Sequence, residues 1–157
     1  MSEKIKESIE NAEKIIRTAD HIVYITFPLV RDKRLLLKVI KEIKEAIIIC
    51  LNSILSYEST KNKVPLYKDF RDNLEMFKEE YAINYRMTST EISSILELLD
   101  FVKFHEESQF EFMKKDSIVI MSGGFDSKVL TLNQVKEFLI LGKSVLKKTK
   151  EGLFRKV

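Results

Sequence analysis

The chain has 157 residues, a formal net charge of +3 and 32% charged residues, which fits one domain and gives no strong pull toward a polyanion. A single cysteine, Cys50, excludes an intramolecular disulfide framework and a cysteine-rich zinc site. The opening residues MSEKIKESIE have no apolar leader core, and no apolar run reaches the ~18 residues of a membrane span, so a cytoplasmic protein with no membrane partner is expected.

In chain order, Ser2 is placed to cap a first helix, with Glu3 in its first turn. Ile5, Ile9, Ala12, Ile16, Ala19 and Val23 then recur at helical spacing. The stretch HIVYITF that follows is β-branched and aromatic, yet the stripe enters it unbroken, so the helix is expected to reach about Thr26. Pro28 disfavours the helical region for Phe27 and is expected to end the helix there. Residues 29–32 then form a connection, with Asp32 as the cap of the next helix.

Residues 34–58 (RLLLKVIKEIKEAIIICLNSILSYE) predict the central helix. Leu36, Val39, Ile40, Ile43, Ile47, Cys50 and Ile54 lie on one face. The run AIIICL is apolar all round, so this helix must be covered on several sides. Cys50 reads as a buried small hydrophobe. Residues 59–65 carry a loop signature. A third helix is expected from Tyr67 or Lys68, with Phe70, Leu74, Phe77 and Tyr81 inward. After a turn at residues 84–87, Thr88 and Glu91 form a capping box. It opens a fourth helix carrying Ile92, Ile95, Leu96, Leu99 and Val102, ending near residues 105–108.

From Gln109 the period changes. Phe110 and Phe112 alternate with polar neighbours, SIVIM is a strand, residues 122–126 are turn-like and residues 128–131 return. Thr131 with Gln134 resembles a second capping box. The last helix places Leu132, Val135, Leu139 and Leu146 in register with Gly142, which suits a close helix approach. The expected fold is therefore mainly α. It is a four- or five-helix antiparallel bundle, a single domain over residues 1–157, with a small β-hairpin at about residues 110–131 before the C-terminal helix. The apolar surplus on the central helix favours a homo-oligomer, a dimer first.

One stretch reads as chemistry. Ser122, Gly123, Gly124, Phe125, Asp126 and Ser127 match the SGGxDS signature and resemble the PP-loop of ATP pyrophosphatases. That resemblance implies a Gly-rich turn between a strand and a helix, with Ser122, Gly123, Gly124, Asp126 and Ser127 around the pyrophosphate of ATP, and adenylation of a carboxylate or carbonyl. The competing reading is a hairpin whose glycines supply positive φ. Only 30 residues follow Ser127, too few for the parallel sheet of that family, so the hairpin is preferred. The two readings differ at residues 128–130, extended in a hairpin and helical in a PP-loop.

The C-terminal end is basic. Lys143, Lys147, Lys148, Lys150, Arg155 and Lys156 face one acid, Glu151, from residue 143 onward. They form either a polyanion contact or cations suited to a helix C-terminus. His21 and His105 lack metal-ligand spacing, and no metal or cofactor is expected. His105-Glu106-Glu107 reads as a solvated helix end.

ADHIVYITFPLVRDKRLLLKVIKEIKEAIIICLNSILSYE resembles the first two helices of HEPN-like bundles. With KKDSIVIMSGGFDSKVLTLNQVKEFL as a hairpin-then-helix ending, the chain looks like a family of uncharacterised small archaeal helical proteins. The resemblance implies a bundle and leaves function open. The catalytic Arg–His pair of HEPN ribonucleases does not carry over, because Arg17 and His21 have the wrong spacing in the wrong helix. Three functions follow as expectations: a non-catalytic module binding protein or RNA, an adenylating enzyme using residues 122–127, or a structural homo-oligomer.

Overall fold

The computed structural model describes residues 1–62, 66–108, 110–124 and 126–155, with the side chain of Asn62 set aside. It is a bundle of five helical rods with a three-stranded antiparallel sheet inserted before the last. The first rod joins α1 (Glu3–His21), a π-helical turn (Ile22–Thr26) and α2 (Phe27–Val30). The others are α3 (Arg34–Asn62), α4 (Phe70–Glu80), α5 (Ser89–Glu106) and α6 (Leu132–Arg155). The strands are β1 (Phe110–Lys114), β2 (Ser117–Met121) and β3 (Ser127–Thr131), in the order β1-β2-β3.

Helix α3 lies at the centre, packed against α1, α4, α5 and α6. Leu36, Val39, Ile40, Ile43, Ile47, Cys50 and Ile54 are all buried, as their spacing required. Ion pairs give the directions of the rods. Asp20 meets Lys143 and Glu13 meets Lys150, so α1 and α6 run antiparallel. Glu91 meets Lys148 while Phe101 stacks on Phe138, so α5 and α6 do as well. Gly142 lets α6 approach closely: a Cβ there would stand 2.8 Å from Ile16 Cδ1 and 3.1 Å from Ile43 Cγ2.

Three boundaries differ from expectation, each for a local reason. Pro28 does not end the first helix. The Phe27 N–H reaches back five residues to the Ile22 carbonyl, and this wider turn accommodates a residue that has no N–H to donate. The rod ends at Arg31, in the left-handed region at φ 59, whose N–H bonds the Phe27 carbonyl at 2.8 Å. Helix α3 runs on to Asn62, and the Ser59 and Thr60 hydroxyls bond the Ser56 carbonyl inside it. Of the expected loop, Lys63, Val64 and Pro65 lie outside the described residues. Helix α4 starts at Phe70 with Asp69 as cap. Tyr67 is held outside it by Asn73, whose side chain accepts from Tyr67 N–H at 2.8 Å and donates to its carbonyl at 2.9 Å.

Asp32 caps α3, accepting from the Arg34 N–H at 3.0 Å. The Thr88–Glu91 capping box is complete. The one at Thr131 is half-formed: its hydroxyl accepts from the Gln134 N–H at 3.1 Å, while the Gln134 amide turns away to Glu97 at 2.7 Å. The sheet is a three-strand meander, with β1 added to the expected hairpin. Ile118, Ile120 and Leu130 are fully buried, so one face of the sheet belongs to the common core.

Candidate functional surfaces

Ser122, Gly123, Gly124, Asp126 and Ser127 come together at the β2–β3 turn; Phe125 lies outside the described residues. The Ser122 N–H donates to the Asp126 carbonyl at 2.9 Å and closes the turn. Lys128, Val129 and Leu130 are extended and pair antiparallel with Ile120, Val119 and Ile118. A PP-loop would have its helix N-terminus there, and this turn presents a strand instead. Neither glycine takes a positive φ, so the expected conformational reason for them is not met. Among the described residues a Cβ on Gly124 would meet only Ser122 Oγ, at 3.9 Å.

Much of the predicted cationic surface is spent inside the fold. Lys143 pairs with Asp20, Lys148 with Glu91, and Lys150 with Glu13 at 2.6 Å. The hydrogen bond from Lys150 holds the Glu13 carboxyl below its ordinary range. The Arg155 guanidinium donates to its own helix at the Glu151 carbonyl, 3.1 Å away. Lys147 and Arg155 are exposed and lack a carboxylate partner among the described residues; Lys156 lies outside them.

His105 is not the solvated helix end its sequence implied. Its Nδ1 contacts the Glu111 carboxylate on β1, and Ser108 Oγ lies 3.1 Å from the same carboxylate oxygen. The hydroxyl meets the carboxylate and not the imidazole, so it is not an activated nucleophile. The cluster fastens β1 to the end of α5. Among the described residues no group of three or more His, Cys, Asp or Glu could hold a metal ion. Cys50 is 1% exposed, and burial pushes its thiol up to about 12 against a weaker opposing bond with Thr149, so it stays protonated and unreactive.

The surface that stands out is the outer face of the sheet. Register places Phe110 beside Met121, Phe112 beside Val119 and Lys114 beside Ser117. It also sets Val119 against Val129, Met121 against Ser127 and Ser117 against Thr131. Residues paired in this way share a face. Phe110 and Phe112 are 53% and 50% exposed, with ring centroids 5.3 Å apart in an edge-to-face contact. Val129 is also exposed, and Val119 and Met121 are half-buried. Among the described residues Lys114 is the one charged side chain on this face. Alternation of Phe110 and Phe112 signalled one strand of it; the cross-strand neighbours come only from register.

No helix among the described residues is long and apolar enough to cross a membrane. Comparison of the chain with protein-family models, with curated proteins and with solved structures finds no match in any of the three.

Proposed function

We propose that the protein is a non-catalytic interaction module that docks a protein partner on the outer face of its sheet. The observation that carries this is the Phe110–Phe112 pair, half exposed and continuous with Val119, Met121 and Val129. Aromatic and aliphatic side chains on an uncovered face are what a partner's apolar surface buries. A single cation on the face favours protein over RNA, since phosphate binding draws on several Lys or Arg contacts. Strand spacing and rise make this face about 14 Å by 17 Å, roughly 240 Å². That is well below the ~800 Å² each side of a standard interface covers, so the complex is a transient one that also uses the open edge of β1.

A photo-crosslinking amino acid at position 112 tests the reading in cells of the source. The same crosslinked protein should be captured repeatedly, and should be lost when Phe110→Asp is added while the melting curve stays unchanged. Capture that survives Phe110→Asp refutes the reading, as does a crosslink to RNA alone or to a second copy alone.

A further inference from the structure

Along the first rod the outward face changes character. From Glu3 to His21 the exposed positions are 3, 4, 6, 7, 10, 11, 14, 17, 18 and 21, all charged or polar. Beyond His21 the exposed positions up to the cap are Tyr24, Ile25, Pro28, Leu29 and Val30, all apolar. A helix normally turns such residues inward. Here the inward positions are already filled by Ile22, Val23 and Phe27, each 7% exposed or less. Leu29 is 81% exposed and Val30 60%, so they rise from the surface instead of lining a groove. Ile140 of α6 is another exposed aliphatic, 63% exposed, between Lys136 and Lys143 on that helix.

This stripe is ringed by cations. Lys136 and Lys143 lie over the Tyr24 ring, 5.5 Å and 5.9 Å from its centroid. Arg31, exposed, follows directly on Val30, and Lys33, half-buried, comes after Asp32. Of the acids alongside, Asp20 is engaged by Lys143 and Asp32 by Arg34 at 2.8 Å, and Glu137 is exposed beside Lys136 on α6. Arg31, Lys33 and Lys136 keep their charge with no carboxylate partner among the described residues.

We infer that this tip of the bundle docks on an anionic lipid surface, Leu29 and Val30 entering the headgroup boundary while Arg31, Lys33 and Lys136 meet lipid phosphates and carboxylates. Protruding aliphatics within a cationic ring are the pattern of interfacial membrane binding, in which apolar contact and charge together hold what neither holds alone. A convex tip suits a deformable occupant; a protein helix would need a groove. Docking of this kind needs no spanning helix. It uses residues separate from the sheet face, so either assignment can fail without the other.

Co-sedimentation with vesicles tests it. On equimolar phosphatidylserine and phosphatidylcholine the full chain should partition at least about tenfold more strongly than on phosphatidylcholine alone, and molar salt should release it. Leu29→Ser with Val30→Ser should weaken binding by about tenfold with unchanged melting, since these exposed side chains carry little stability; Lys33→Glu with Lys136→Glu, at half-buried positions, should weaken it by about tenfold when assayed below its own melting temperature. No binding by the wild type overturns the inference, as does equal binding to phosphatidylcholine alone or binding retained by the Leu29–Val30 variant. A wild-type dimer that this variant dissolves would assign the tip to a second copy and also overturn it.

Discussion

Gly152 offers the sharpest test of how the far end of α6 is packed. A Cβ at this position would lie 2.3 Å from Tyr85 Cδ1 and 2.4 Å from Cε1, inside any real contact distance. The ring has little freedom to retreat. Tyr85 is 2% exposed, its hydroxyl donates to Glu58 at 2.9 Å, and its face tilts against Phe77 with centroids 6.3 Å apart. Overpacking of this kind costs about 1–3 kcal/mol. Replacing glycine by alanine inside a helix returns up to about 1 kcal/mol. Gly152→Ala should therefore lose a net ~1 kcal/mol, lowering the melting temperature by about 2–4 °C for a chain of this size. At Gly142 the nearest atom is the end of a flexible side chain, Ile16 Cδ1, so Gly142→Ala should cost clearly less. Urea unfolding followed by circular dichroism measures both. The decisive comparison adds Tyr85→Ala: with the ring gone, Gly152→Ala should change sign and stabilise that background. A Gly152→Ala protein as stable as the wild type, or a cost that persists without the ring, refutes the packing argument.

Two further outcomes follow from the same geometry. Gly123→Ala and Gly124→Ala should each leave stability within about 0.5 kcal/mol of the wild type or raise it slightly, because neither glycine has a positive φ; a loss above about 1 kcal/mol in thermal unfolding would show that the turn needs glycine. Glu91 supplies the pH dependence. Burial alone would push its carboxyl up, but bonds from Lys148, from Ser144 at 2.6 Å and from the Thr88 N–H at 3.0 Å outweigh it and hold the group below its ordinary 4.5. A depressed folded value means that the stabilisation is complete above 4.5 and is lost as pH falls through the folded value. Glu91→Gln should thus cost about 1–2 kcal/mol at neutral pH, with the gap to wild type closing in acid; a gap that stays constant down to pH 3 would contradict the assignment.

Glu91 also shows where sequence reading stops. Its spacing from Thr88 reveals the capping box, since both partners lie within one turn of the same helix. Its second use, holding Ser144 and Lys148 across to α6, spans more than fifty residues and leaves no local trace. The sheet divides in the same way. Apolar and polar alternation reveals SIVIM and its return strand. That the Phe110–Phe112 strand joins them, and that five apolar side chains then share one uncovered face, depends on register. The cations of α6 were legible as a cluster, while their loss to Asp20, Glu91 and Glu13 depended on the antiparallel placement of α1 and α5.

The amino-acid sequence by itself determined the helical rods, the caps at Ser2, Asp32 and Thr88 and the central place of α3, because helix formation and burial follow from side chains three and four residues apart. It also excluded a disulfide within this chain, and no helix among the described residues is long and apolar enough to cross a membrane. Only the tertiary structure decided which charges are neutralised, why Gly152 must be small, and which apolar residues remain outside. Those properties belong to pairs of residues distant in the chain, and at Tyr24, Ile25 and Leu29 the same helical spacing would have served equally well for a buried face.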